Sequence, residues 1–152
     1  MTHRVLFVCL GNICRSPSAE GVFRTLAAGA GVGVKTDSAG TAGWHIDKPP
    51  YGPMQETAIA RGYDLSDLRA RQIHASDFSR FDLIIGMDDS NINNIEALRP
   101  SSSTTPVRLF LDYAPETGRT EVPDPYYTRD FDAALDLIEA ASRGLIAQLE
   151  EQ

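Results

Sequence analysis

The chain has 152 residues, of which 42% are hydrophobic and 23% charged, and its formal net charge is −7. This is the composition of an ordinary globular protein and excludes intrinsic disorder as the main state. A chain this acidic lacks the basic face that non-specific nucleic-acid binding needs, so an anionic ligand must meet a local positive site. The length predicts a single domain over residues 1–152.

The cysteines, histidines and apolar runs exclude further classes. Cys9 and Cys14 are the two cysteines, too few for a disulfide framework or a four-ligand structural zinc site. The histidines form no metal-binding spacing, so we expect no metal and no cofactor. The apolar run over residues 5–10 is too short for a signal peptide, and no run reaches transmembrane length. We therefore expect a cytoplasmic protein with no membrane partner.

The first half of the chain predicts two strands and two helices. Residues 5–9 form a continuous apolar run, typical of a strand buried on both faces. Ser16-Pro17 predicts a helix start with serine as the N-cap, followed by a helix over residues 18–28 that glycines end. A weaker strand is predicted over residues 34–38 and a short helix over residues 54–61.

The second half predicts two more strands and two more helices, with a long loop before the last helix. An apolar stripe at spacings of three and four marks that last helix. In chain order, these elements are a strand over 81–87, a helix from Asp88 or Asp89 to about Leu98, a strand over 107–111, a loop over 112–130 and a helix over 131–149.

Strands that alternate with helices predict an α/β fold. We expect a single three-layer domain with a four-stranded parallel sheet, in the order 2-1-3-4, and helices on both faces. In such sheets, ligands bind beyond the carboxyl ends of the strands. Cys9 ends the first strand, Ser38 ends the second, Asp88 follows the third, and the loop after the fourth carries Asp124. These side chains are therefore expected at one edge of the sheet.

The segment between the first strand and the first helix has the make-up of an anion-binding loop. A helix N-terminus offers unpaired N–H groups and about half a positive charge. Arg15 can hold two phosphate oxygens with its planar fork, and Cys9 would lie beneath the phosphorus, where this positive charge favours the thiolate. The predicted phosphate contacts are Leu10, Gly11, Asn12, Ile13, Cys14 and Arg15.

Each of these features also has an ordinary structural explanation. A cysteine at the end of an apolar strand is usually a small core residue. An arginine such as Arg15 often makes only a surface contact, and Asp124-Pro125 is a common turn pair. The joint occurrence of cysteine, glycine and arginine at this spacing, directly before a helix start, favours the phosphate loop.

Four segments carry a resemblance to a known family. They are the Cys-x5-Arg-Ser pattern over residues 9–16, Ser38-Ala39-Gly40-Thr41, Met87-Asp88-Asp89-Ser90-Asn91 and Asp124-Pro125-Tyr126-Tyr127. In this order they resemble the signatures of the low-molecular-weight protein tyrosine phosphatases. The chain departs from that pattern over residues 46–54, where Lys48-Pro49-Pro50-Tyr51-Gly52-Pro53 replaces an expected Asp-Pro-Arg. This departure concerns loop geometry and substrate selection rather than the chemistry.

The resemblance implies hydrolysis of phosphotyrosine through a phosphocysteine on Cys9. It implies that Arg15 binds the phosphate and that Asp124 acts first as general acid and then as base. Ser16 would donate a hydrogen bond to the Cys9 sulfur, with N-capping as its ordinary alternative. The remaining implied roles are loop support by Asn12 and Ser38, and walls of a phenyl slot by Trp44, Tyr126 and Tyr127.

Some of these residues keep a second interpretation. Trp44 is the sole tryptophan and would otherwise belong to the core. Asp88 would either brace the phosphate loop or simply cap the next helix. His45 is interpreted as a loop residue rather than a catalyst, and His3 and His74 as surface residues.

The implied partner is a phosphotyrosine-containing protein or a small aryl phosphate, and phosphate or vanadate would inhibit. Three other functions stay open. One is an arginine phosphatase of the same family, in which the position of Ile13 resembles a threonine; the larger apolar Ile13 suits an aromatic phosphoester better. Another is an arsenate reductase, which needs cysteines beyond Cys14 that this chain lacks. The third is a silent phosphopeptide-binding module, which the intact Cys9, Arg15 and Asp124 disfavour.

The positions of the cysteines also predict a reversible redox switch. Cys9 and Cys14 lie at the two ends of one short loop, and curling of the loop around a phosphate brings its ends together. Peroxide would oxidise Cys9 to a sulfenic acid, with which Cys14 would condense and so prevent further oxidation. The alternative is that Cys14 only packs under the loop.

Overall fold

The computed structural model describes residues 2–152 and contains a four-stranded sheet in the order β2-β1-β3-β4. The strands are β1 (His3–Cys9), β2 (Val34–Gly40), β3 (Leu83–Gly86) and β4 (Val107–Leu109). All neighbouring strands are parallel. The predicted fold class and strand order are therefore confirmed.

Helices connect and follow the strands. The α-helices are α1 (Arg15–Gly29), α2 (Gly52–Ala60), α3 (Asp77–Arg80), α4 (Asp89–Glu96), α5 (Pro125–Thr128) and α6 (Phe131–Glu150). Two 3-10 helices, Phe110–Tyr113 and Pro115–Thr117, lie between β4 and α5.

Alternate side chains of β1 enter two separate cores, because successive residues of a strand point to opposite faces. On one face, Phe7 packs edge-on against Phe23 of α1, with ring centroids 5.4 Å apart, and this core extends to α2 and α6. On the other face, Leu6 and Val8 pack with Phe78 of α3 and with α4. The sheet thus forms the middle of three layers, as predicted.

The start of α1 differs from the prediction. The helix begins at Arg15, and its N-cap residue is Cys14, which makes no side-chain capping bond. Ser16 is therefore not the N-cap, and that interpretation was wrong. Pro17 is the third helical residue, a position at which a missing N–H costs nothing because the first four N–H groups of a helix have no intrahelical partner.

Another difference occurs where an apolar run does not distinguish a strand from a buried helical turn. The run predicted as a strand over 107–111 pairs only as far as Leu109, and Phe110 and Leu111 enter the core from a 3-10 helix. The predicted loop 112–130 contains α5, and α3 was not predicted. β2 is longer than expected because Ala39 and Gly40 still pair with β1. The remaining helix ends shift by one or two residues.

Candidate active site

The loop over residues 9–15 connects the end of β1 to the start of α1 and surrounds the Cys9 sulfur. Cys9 is only 3% exposed. Its Sγ lies 3.0 Å from the Ser16 hydroxyl and accepts the backbone N–H groups of Asn12 at 3.3 Å and Ser16 at 3.5 Å. Donors in this arrangement suit a sulfur that carries negative charge.

Asn12 holds the loop in shape. Its backbone adopts a φ of 58°, a left-handed conformation that asparagine tolerates better than most residues. Its amide nitrogen donates to the hydroxyls of Ser16 at 2.8 Å and Ser38 at 3.0 Å. Its amide oxygen accepts the backbone N–H of Arg71 at 2.9 Å. One buried side chain therefore ties the loop to α1, to β2 and to the segment between α2 and α3.

Several donors of the loop have no acceptor in the described part of the chain. The backbone N–H groups of Gly11, Ile13 and Cys14 make no hydrogen bond within residues 2–152. Nε of Arg15 is buried and likewise has no partner there. A buried donor such as Nε is almost always paired, and Gly11, Ile13 and Cys14 line one pocket, so this cluster is typical of a site for an anion, next to a helix N-terminus that favours negative charge.

The Arg15 guanidinium is fixed by three acceptors. Its side chain is 3% exposed, and Nη1 donates to Asp88 at 2.8 Å and to the Val122 carbonyl at 2.9 Å. Nη2 lies 3.4 Å from Asp124. Burial alone would lower the pKa of Arg15, but Cys9, Asp88 and Asp124 more than offset it and the pKa is raised. Arg15 therefore stays positively charged beside the sulfur.

Asp88 has both roles that the sequence left open. It contacts Arg15, and it caps α4, where its carboxylate accepts the backbone N–H of Asn91 at 2.8 Å. The Asn91 side-chain oxygen in turn accepts the backbone N–H of Asp88 at 3.2 Å, so the two residues form a capping box.

Asp124 is held at the start of α5. As N-cap of this short helix, its Oδ1 accepts the backbone N–H of Tyr126 at 3.1 Å. Its other oxygen faces Arg15, and its side chain is 21% exposed. Asp124 lines the same pocket as Cys9, where a carboxyl group can exchange a proton with a bound ligand.

The pocket over the loop has a volume of about 230 Å³ and an aromatic rim. Trp44, Tyr126 and Tyr127 line it and are 65%, 42% and 69% exposed. The alternative that Trp44 belongs to the core is therefore wrong. A deep polar floor below flat apolar walls suits a phosphate attached to an aromatic ring.

Cys14 lies at the other end of the loop and also lines the pocket. It is 3% exposed. Burial raises the pKa of its thiol to about 12, and the negative charges of Cys9 and Asp124 add to the effect. Cys14 is therefore a neutral thiol at physiological pH. Both cysteines are free.

The structure brings the predicted residues together at the carboxyl edge of the sheet, and adds groups that the sequence did not indicate. The Val122 carbonyl and the Arg71 N–H are backbone groups, which no side-chain pattern reveals. His45 also lines the pocket. Gly40 could have been found from the sequence, because it belongs to the Ser38-Ala39-Gly40-Thr41 signature. A Cβ at this position would lie 2.8 Å from the Leu10 carbonyl oxygen, so only glycine allows this close approach.

Residues 2–152 contain no group of three or more histidine, cysteine, aspartate or glutamate side chains that could hold a metal ion. No helix in this range has both the length and the apolar character to cross a membrane.

Comparison with known proteins agrees with this geometry. The family model described as low molecular weight phosphotyrosine protein phosphatase matches residues 4–152. The chain belongs to this family. A low molecular weight protein-tyrosine-phosphatase of Streptomyces coelicolor is 47% identical over 160 residues, covering 100% of this chain and 96% of that protein. The Bacillus subtilis protein named low molecular weight protein-tyrosine-phosphatase YfkJ is 42% identical over 150 residues, covering 97% and 96%.

Solved structures of low molecular weight phosphatases have the same fold. The crystal structure of YfkJ from Bacillus subtilis superposes with a TM-score of 0.94 at 41% identity, covering 99% of this chain and 96% of that one. A structure described as a drosophila arginine phosphatase superposes with a TM-score of 0.88 at 30% identity, covering 95% and 96%. The family and the phosphatase class predicted from the four signatures are thus confirmed.

Proposed function

We propose that the protein hydrolyses phosphotyrosine in proteins, and small aryl phosphates, through a phosphocysteine on Cys9. The observation that carries this proposal is the buried Cys9 sulfur within a loop in which three N–H groups, those of Gly11, Ile13 and Cys14, and the Arg15 Nε have no acceptor among residues 2–152. Asp124 lines the same pocket. A nucleophile, an anion cradle and a proton donor are the parts that phosphoryl transfer needs.

In the first step the Cys9 thiolate attacks phosphorus in line with the phenolic oxygen. The S–P bond forms, the P–O bond breaks, and Asp124 gives its proton to the leaving oxygen. The loop N–H groups and Arg15 stabilise the charge on the three equatorial oxygens. These fixed donors perform the charge stabilisation, so the reaction as proposed needs no metal or other cofactor.

In the second step a water molecule attacks the phosphocysteine. Asp124, now a carboxylate, accepts a proton from this water, the S–P bond breaks, and Cys9 leaves as a thiolate. The Ser16 hydroxyl, 3.0 Å from the sulfur, can donate to the departing thiolate. Inorganic phosphate is the product, and we expect phosphate and vanadate to bind in the same cradle and to inhibit competitively.

The test is to trap the intermediate. Acid quenching of the enzyme during turnover of radiolabelled para-nitrophenyl phosphate should leave label on protein, located at Cys9 by peptide mapping. The Cys9→Ser variant should carry no label and show no turnover while still binding vanadate, because the loop backbone supplies most contacts to the anion. Wild-type turnover by Cys9→Ser would reject the proposal.

The arginine phosphatase neighbour makes a phosphoguanidine substrate the second candidate. Ile13 lines the pocket, and its apolar side chain favours an aromatic ring over the strongly polar guanidine group. Matched peptides with phosphotyrosine or phosphoarginine decide between them. We expect a higher kcat/KM for phosphotyrosine, and the opposite order would favour the arginine phosphatase.

We also propose that the protein acts in the cytoplasm, since a catalytic thiol needs a reducing compartment.

We propose in addition that Cys9 and Cys14 form a reversible redox switch. Peroxide converts the Cys9 thiolate to a sulfenic acid with loss of hydroxide. This removes the negative charge that helps to raise the pKa of Cys14. The Cys14 thiol then condenses with the sulfenic acid, and one disulfide and one water form. Dithiothreitol should restore activity fully in wild type and less completely in Cys14→Ala; equal recovery would reject the switch.

A further inference from the structure

A second depression adjoins the active-site pocket, on the segment where the chain departs from its family pattern. It has a volume of about 340 Å³ and is lined by residues 48–52 together with Ile13, His45 and Tyr126. The last three also line the active-site pocket. This side groove is therefore continuous with the pocket, and a ligand larger than an aryl phosphate can occupy both.

The backbone of the groove is fixed by hydrogen bonds to the rest of the fold. The N–H of Tyr51 donates to the carbonyl of Ile13 at 2.8 Å, and the N–H of Asp47 donates to the carbonyl of Ala70 at 2.8 Å. The N–H of Ala70 donates in turn to the carbonyl of Lys48 at 2.9 Å. Two prolines follow Lys48 and restrict the chain further, since each fixes its φ angle. A rigid surface loses little entropy when it binds a partner.

Aromatic contacts fix the far wall. The Tyr51 ring lies 5.2 Å from the Tyr126 ring and 6.2 Å from that of Phe131. Arg129 stacks over Tyr51 at 5.2 Å and donates to its hydroxyl at 2.9 Å. The hydroxyl is thus already hydrogen-bonded, and the ring can offer an apolar face to the groove.

The chemistry of the lining indicates the occupant. The lining residues include two prolines, Ile13 and two tyrosines, and among them Lys48 is the single side chain with a fixed charge. Such a surface gains most by covering apolar groups. Because the groove shares walls with the pocket, its occupant must be close to the phosphotyrosine in sequence: each extended residue spans roughly 3.3–3.6 Å.

We propose that the side groove binds an apolar side chain within two residues of the phosphotyrosine and so selects among phosphotyrosine proteins. The inference rests on the proposed function, since it assigns the substrate contacts of that same site. It also gives a role to the Lys48-Pro49-Pro50-Tyr51 segment, which takes no part in the phosphoryl transfer.

The experiment compares phosphotyrosine peptides that differ at one position only. Leucine, alanine or aspartate is placed in turn at each of the two positions before and after the phosphotyrosine. At one of these positions we expect leucine to raise kcat/KM about 5- to 10-fold over alanine, since an open groove removes only part of the side chain from water. Equal rates at all positions would overturn the inference.

A matched pair of variants locates the effect. Pro49→Asp puts a charge into the groove and should bring the leucine-to-alanine ratio close to one. Pro115→Asp makes the same change at an exposed proline that lines neither the groove nor the pocket, and should leave the ratio as in wild type. The ratio is measured on one preparation, so it does not depend on the fraction of folded enzyme. A leucine preference that survives in Pro49→Asp would overturn the inference.

Two other outcomes are distinguishable. A preference for aspartate that disappears in Lys48→Ala would overturn the inference and assign the groove to acidic side chains. If neither para-nitrophenyl phosphate nor any peptide is turned over, the proposed function itself fails. Turnover of all peptides without a preference rejects the groove alone.

Discussion

At the floor of the pocket, Asn12, Arg15 and Ser16 are 2%, 3% and 0% exposed, whereas at its rim Trp44 and Tyr127 are 65% and 69% exposed. Each of these floor residues makes several hydrogen bonds to other groups of the protein. The rim residues contribute mainly flat apolar surface. We therefore expect changes at the floor to lower activity on every substrate, and changes at the rim to alter the preference between substrates.

The largest effect that tests this contrast is expected at Asp124. Asp124→Ala should lower kcat for aryl phosphates by roughly 10²–10⁴, the range typical of a general acid or base. The loss should shrink as the leaving group improves, because a weakly basic phenolate needs less protonation. The measurement is kcat across a series of aryl phosphates of different leaving-group pKa.

The control for Asp124 is Asp124→Asn. Asparagine is as good an N-cap as aspartate and can replace the bond to the Tyr126 N–H, but it cannot supply a proton. If Asp124→Asn is as impaired as Asp124→Ala, proton transfer is the role that was lost. If the asparagine variant keeps wild-type activity, Asp124 acts by capping α5.

The next effect is expected at Asn12, whose side chain joins three parts of the floor. Asn12→Ala should lower kcat/KM by roughly 10- to 100-fold for all substrates, since each buried partner left unsatisfied costs about 1–3 kcal/mol. Asn12→Gly separates two causes: it relieves the left-handed backbone but not the lost bonds. Full activity of Asn12→Gly would show that only the backbone conformation matters.

The buried carboxyl group of Glu20 should make the stability of the folded protein depend on pH. It is 5% exposed, and burial raises its pKa from an ordinary 4.5 to about 7, with Asp37 adding to the shift and the Ser38 hydroxyl opposing it. Between these pH values the folded protein keeps a proton that the unfolded chain has released. The stability associated with neutral Glu20 is therefore complete below pH 4.5 and is lost as the pH rises through 7.

Glu20→Gln stays neutral and should show the difference. Relative to wild type, its free energy of unfolding should rise between pH 4.5 and 7 by up to about 3 kcal/mol, and then stay level. Urea unfolding at several pH values measures it. Glu56→Gln removes the same charge at an exposed position and is the control. A constant difference between Glu20→Gln and wild type across this range would contradict the prediction.

The sequence predicted the sheet and most of the floor because both follow from local patterns. Alternating strands and helices determine a parallel sheet, and the segments at the carboxyl ends of the strands bring Cys9, Ser38 and Asp124 to one edge. It missed contacts made by the backbone, such as the Val122 carbonyl on Arg15. It also placed Ser16 at the N-cap, because serine before proline is a common start signal. In the folded protein the Ser16 hydroxyl instead makes a tertiary contact with the Cys9 sulfur.

The smallest effect is expected at the rim. Trp44→Ala should lower kcat/KM for phosphotyrosine peptides several-fold, since an indole at an open rim covers only part of the bound ring, and should barely affect small aliphatic phosphates. The melting temperature should stay within about 2 °C, because Trp44 is 65% exposed and surface substitutions typically change stability by less than about 0.5 kcal/mol. Ile46→Ala is the matched control: Ile46 is 52% exposed two residues away but does not line the pocket. Equal losses on peptides and aliphatic phosphates in Trp44→Ala would place this residue with the floor and break the contrast between the two regions.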